Sequence, residues 1–165
     1  MRHPLSIIVF ALALSVAYFF VTHTAVRLPP LTAVHFDASG AANSFMERAQ
    51  YLKFISLFAL GLPLFIVIIT STVYSRARDF KVPNRDYWMA PERAAATRSF
   101  LIGHGIWFGT LLAGLMCFIH WIVVIANQQE PPHLSNAMAI GGLLVFLAAT
   151  LAWALVLVVA FRRPR

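Results

Sequence analysis

One cysteine, Cys117, stands in 165 residues, which excludes an internal disulfide and any site built from several thiolates. Charge is scarce as well. Charged residues make up 12% of the chain, against about 25% in soluble domains. Acidic residues are the rarer sign, with 6 Asp and Glu against 13 Lys and Arg. No nucleophile–base pair, phosphate-cradling glycine loop or pair of catalytic carboxylates is found, so the chain is read as a non-enzyme that calls for no cofactor. What fills the sequence instead is apolar: 60% of residues are hydrophobic and the mean hydropathy is +0.76. A compact domain of this size cannot hide that much apolar surface, and a soluble enzyme is excluded.

The apolar residues fall into four long runs, expected as spans at about residues 5–23, 52–74, 99–126 and 137–161. Crossing the hydrocarbon takes about 20 helical residues, and a bilayer offers no water to unpaired backbone groups, so such runs fold as helices. The expected fold is an all-α membrane protein, one integral domain over residues 1–165, with four transmembrane helices and a structured outer loop between the first two. The first run is read as an uncleaved helix, because His23 occupies a position where a signal peptide's cleavage site needs a small residue. Pro63 should kink the second span.

The charges fix an expected orientation. Arg2, the loop residues Arg76, Arg78, Lys81, Arg85, Arg93 and Arg98, and the terminal Arg162, Arg163 and Arg165 all lie on one side. Only Arg27, Arg48 and Lys53 lie on the other. The positive-inside rule then puts both termini and the central loop in the cytoplasm of a bacterial inner membrane. Because three acidic residues fall on each side, the whole net charge of +7 belongs to the basic side. Anionic lipid accounts for it. A nucleic-acid partner is not expected, since the central loop is short and holds no recognition helix.

Two loops carry the polar detail. In the outer loop, residues 27–37 should be extended, and Asp37-Ala-Ser-Gly40 should form a tight turn with Gly40 at positive φ. Ser44-Phe-Met-Glu47 fits a capping box, so the second helix is expected to begin near Phe45 and to bring Tyr51 to the interface. In the inner loop, Pro91 followed by Glu92 reads as the first turn of a long third helix, residues 91–126. Residues 127–136 should simply return the chain.

The passage Leu28-Pro29…His35-Phe36-Asp37-Ala-Ser-Gly40 resembles the signature of the bacterial membrane-protein family 1648 among domains of unknown function. The inner passage Val82-Pro-Asn-Arg-Asp-Tyr-Trp-Met-Ala-Pro-Glu-Arg93 is similar to a second block of many relatives. The domain-like part covers about residues 15–65, and the wider likeness reaches about residue 98. Asn43, Phe45 and Arg48 stand near places where relatives often carry an acid, an aromatic and a lysine. The same domain occurs in SdpI-type immunity proteins, so the resemblance implies an immunity or signalling role.

From these passages the candidate contact residues for a ligand or partner are His35, Phe36, Asp37 and Gly40 outside, and Asn84, Arg85, Asp86, Tyr87 and Trp88 inside. His35 and Asp37, two apart on an extended segment, project to one face. A shared ligand and a structural role (Asp37 capping the turn, His35 bonding across the loop) both fit. His23 and His133 lack motif spacing for a metal site with them. His104 and His120 fall inside the third span but lie about 160° apart around it, so they form no common site. Gly105, Gly109 and Ala113 make a small-residue stripe for helix packing or a homodimer. The expected function is that of a non-enzymatic interaction, immunity or signalling protein, whose partners are the bilayer and a membrane protein or a second copy. The alternatives are an accessory subunit of a transporter or respiratory complex, and a membrane metal-binding protein.

Overall fold

A computed structural model describes residues 3–76 and 82–162. Arg2, Arg78, Asp79, Lys81, Arg163 and Arg165, which carry part of the charge asymmetry, lie outside the described residues. Helix α1 spans Pro4–Thr24 and ends in a 3-10 turn at Ala25–Arg27. A hairpin follows, with β1 at Leu31–Phe36 and β2 at Ala42–Glu47. Helix α2 runs Arg48–Arg76, a short α3 covers Arg85–Trp88, and α4 and α5 span Pro91–Ala126 and Asn136–Ala160. α1, α2, α4 and α5 are each long and apolar enough to cross a membrane. The fold is therefore that of a multi-pass, all-α membrane protein with one small two-stranded sheet.

α4 is the spine of the bundle. It packs along α1 and α2 and more lightly on α5. Gly105, Gly109 and Ala113 explain the closeness of the first two contacts. A Cβ at Gly105 would stand 2.8 Å from Thr70 Oγ1, and one at Gly109 would strike Val67 and come within 3.1 Å of Phe10. The stripe is thus spent inside the bundle, between α4, α1 and α2. α5 has no buried residue, and many of its apolar side chains, among them Leu143, Val145 and Leu151, are exposed.

α2 departs from ideal geometry before Pro63. Leu57–Gly61 form a π-helical turn, one of the recognised ways a helix absorbs a local break. Its start also differs from the sequence expectation. Ser44–Glu47 belong to β2, not to a capped helix: Leu31 pairs with Glu47, and Thr32 with Met46. The helix begins at Arg48, and Glu47 makes no side-chain cap. The other strand of the hairpin, β1, pairs with the residues that a capping box would have used for the first turn of the helix.

Candidate functional site

The hairpin closes through the turn at Asp37–Gly40. Asp37 Oδ1 accepts from the Ser39 hydroxyl at 2.6 Å, the Ser39 amide at 2.8 Å and the Ala41 amide at 3.1 Å. These bonds, the Ser39 hydroxyl first, hold the Asp37 carboxyl below its ordinary value of 3.8. Gly40 takes φ +94°, as the turn requires. A side chain there would collide with the Leu134 carbonyl and approach His133 Cε1 to 2.8 Å.

The ladder is irregular on both sides of His35. His35 Nδ1 hydrogen-bonds Asn43 Oδ1 across the strands, while Asp37 is occupied with its own turn. Each of the two residues therefore has a separate partner within the hairpin. Asn43 is thus the residue His35 meets across the hairpin.

The loop of residues 127–136 does more than return the chain, which corrects the sequence expectation. His133 bridges to Ala41, and the Leu134 amide donates to the Gly40 carbonyl at 2.8 Å. Asn136 Nδ2 donates to the Ala38 carbonyl at 2.9 Å. At the other edge of the hairpin, the Asn127 carboxamide imitates a strand: its Oδ1 accepts from the Ala33 amide at 2.8 Å, and its Nδ2 donates to the Ala33 carbonyl at 2.9 Å. Arg48 Nη1 donates to the Leu28 carbonyl at 3.0 Å. Residues flanking α2, α4 and α5 all hold the hairpin. Val34 and Met46 pack inward on the core, while Leu31 and Phe45 stay 61% and 47% exposed on the opposite sheet face.

Beneath the hairpin lies a polar triad that the sequence reading did not assemble. His120 is fully buried; its Nε2 meets Thr24 Oγ1 at 2.7 Å, and its Nδ1 meets the Tyr51 hydroxyl at 2.9 Å. Thr24 already donates to the Phe20 carbonyl at 2.6 Å. Hydrogen-bond accounting therefore makes Nε2–H the donor to Thr24, and Nδ1 the acceptor from Tyr51. Tyr51 is buried among the helices near the start of α2. The triad ties α1, α2 and α4 together and leaves no ring nitrogen of His120 free for a metal or haem.

The inner block sits at the other end of α4, a helix of about 54 Å at 1.5 Å per residue. Asn84 adopts a left-handed conformation, and its Nδ2 donates to the Phe161 carbonyl at 3.0 Å. Trp88 packs edge-on against Phe161, and its carbonyl accepts from the Thr97 hydroxyl at 2.8 Å. Arg93 lies 4.1 Å above the centre of the Tyr87 ring, and Arg85 pairs with Asp86 on the surface. This block fastens the ends of α4 and α5, and it does not touch the hairpin. Phe36, the remaining candidate, pairs with Ala42 at the end of the ladder.

Among the described residues no group of three or more His, Cys, Asp or Glu is placed to hold a metal ion. Comparison of the chain with protein-family models, with curated proteins and with solved structures finds no match.

Proposed function

We propose that this is a non-enzymatic interaction protein of the immunity or signalling type, of the kind implied by its resemblance to family 1648. It presents the β1–β2 hairpin on the outer face of a bacterial inner membrane, with both termini and the Asn84–Trp88 block in the cytoplasm. The occupant of the hairpin is an extended peptide segment of a partner.

One observation carries this reading. The hairpin is pinned to the bundle through Asn127, Arg48, Leu134 and Asn136, yet Leu31 and Phe45 stay exposed on its opposite face. Ordering a surface loop so thoroughly costs chain entropy, and rigid presentation lowers the entropic cost of recognition. β1 is covered at its second edge by Asn127, whereas β2 beyond Ala42 pairs with no second strand among the described residues. An extended peptide adding to β2 would gain main-chain bonds and an apolar seat beside Phe45. The orientation is supported by the excess of basic residues on the opposite side.

Purification in a gentle detergent, followed by mass spectrometry of co-eluting chains, tests the reading. A partner retained by the wild type and lost from Phe45→Asp supports it. A stable large complex indifferent to Phe45→Asp contradicts it and favours the accessory-subunit reading, to which the bare flank of α5 also lends itself.

A further inference from the structure

The bonds of Ala33 fix which backbone groups of β2 are left for a ligand. In an antiparallel ladder, facing residues alternate. One pair exchanges both main-chain bonds, and the next points its amides and carbonyls away from the partner strand. The Ala33 amide donates to Asn127 Oδ1 at 2.8 Å, and its carbonyl accepts from Asn127 Nδ2 at 2.9 Å. Both groups are therefore turned away from β2, and those of Phe45, which faces Ala33, are turned away from β1. Arg48 agrees with this parity: its amide donates to the Pro30 carbonyl at 2.9 Å, so that pair lies in the bonded set. The register is unbroken from Leu31 opposite Glu47 to Ala33 opposite Phe45. By the same alternation, the amide of Glu47 also faces the open edge.

Side chains two apart on a strand share a face, so Phe45 and Glu47 stand together, and both are exposed. Among the described residues the Glu47 carboxylate forms no ion pair, and it does not cap α2. Arg48, next in the chain, reaches the Leu28 carbonyl instead. The open edge thus offers a backbone donor and acceptor at Phe45, an apolar ring, and a carboxylate two residues further on.

We propose that the segment added to β2 is an extended peptide running antiparallel to it, with an apolar residue opposite Phe45 and a lysine or arginine opposite Glu47. This rests on the reading of the hairpin as the recognition element and specifies what that element selects. The direction follows the segment that already lies antiparallel on the first part of the same edge. There the Ala42 amide donates to the Pro132 carbonyl at 3.4 Å, and the Leu134 amide to the Gly40 carbonyl at 2.8 Å. In that direction the residue opposite Phe45 exchanges both main-chain bonds with it. Facing charges of opposite sign are favourable across strands and like charges unfavourable. Glu47 therefore accepts a basic residue at its place and rejects an acidic one, which turns a generic sheet edge into a selective one.

The test uses the full chain in nanodiscs of zwitterionic lipid, which keeps charged peptides off the membrane, with backbone amides followed by NMR. The probe is the capped peptide Thr-Lys-Thr-Leu-Thr-Lys-Thr at millimolar concentration, compared with the same peptide carrying glutamate for lysine. The lysine peptide should protect the Phe45 amide saturably, and the glutamate peptide should bind about fivefold more weakly. Glu47→Lys should reverse that order, a readout that general loss of structure does not mimic. The lysine peptide N-methylated at its leucine keeps every side chain but lacks the amide that the Phe45 carbonyl accepts. It should bind about tenfold more weakly than the parent. Equal binding of the lysine and glutamate peptides, with Phe45 still protected, overturns the proposal and leaves the edge as the recognition element. Unchanged binding of the N-methylated peptide overturns the antiparallel addition. No protection of the Phe45 amide by either peptide overturns both the proposal and the reading on which it rests.

Discussion

The Tyr51 hydroxyl donates to His120 Nδ1 at 2.9 Å, joining α2 to α4 beneath the hairpin. Both residues are buried, and the rings stack with centroids 5.7 Å apart. Tyr51→Phe keeps the stack and orphans Nδ1, so it should destabilise the protein by about 1–2 kcal/mol, near the upper end for polar contacts between membrane helices. His120→Leu should cost more, because Tyr51 and Thr24 both lose a partner. The double variant Tyr51→Phe/His120→Leu should be less destabilised than the sum of the two single variants. Thermal unfolding in detergent measures all three.

Two glycines of α4 should respond oppositely to alanine. At Gly109 the added methyl strikes Val67 and crowds Phe10, an overpacking that costs about 1–3 kcal/mol. At Gly114 nothing lies within 4 Å, so alanine should be neutral or stabilising by up to about 1 kcal/mol through helix propensity. If Gly109→Ala melted like the wild type but lost a dimer, the stripe would serve association between copies instead.

The turn at Asp37 should be sensitive to acid. Its carboxyl is held below the ordinary value of 3.8, chiefly by the Ser39 hydroxyl. A depressed carboxylate stabilises the fold at pH values above its unfolded pKa, and that contribution is lost as pH falls through the lower folded value. Amide protection at Ser39 and Ala41, taken relative to the intrinsic exchange rate at each pH, should therefore hold above the unfolded pKa and be lost only as pH falls through the lower folded value. Asp37→Asn should remove this pH dependence. An unchanged acid profile in that variant would assign the effect to another group.

Gly40→Ala should loosen the lock between the hairpin and residues 127–136. Positive φ costs a β-carbon-bearing residue about 1–2 kcal/mol, and the methyl also meets the Leu134 carbonyl and His133. Limited proteolysis of the outer segment should quicken, with α1, α2 and α4 still protected. Wild-type resistance would show that Leu134 and His133 yield.

Much of the fold can be read locally. Hydropathy alone separates four spans, and Pro91 marks the start of α4 because proline lacks only an amide that the first turn leaves unpaired. Gly40 and Asp37 announce the turn by their own chemistry. The features that sequence reading missed depend on which partner packing selects. Ser44–Glu47 satisfy a capping rule, yet β1, the neighbouring strand, claims them for a ladder. Asn127 acts as a strand for Ala33 across 94 positions, and Tyr51 finds His120 across 69. The sequence marks these residues as polar in or beside apolar runs, and only packing selects their partners. His104 is legible as an ionisable residue inside a span, but its stack on Trp153 and the seat of His3 against Gly103 depend on packing.

The most direct test of the hairpin as the recognition element is site-specific photo-crosslinking in living cells. A photoreactive amino acid replaces Phe45 on the hairpin in one strain and Leu151 on the exposed flank of α5 in another. A discrete protein adduct from position 45, with none from position 151, is the predicted result. A discrete adduct from position 151 with none from position 45 would contradict it and mark α5 as the interface.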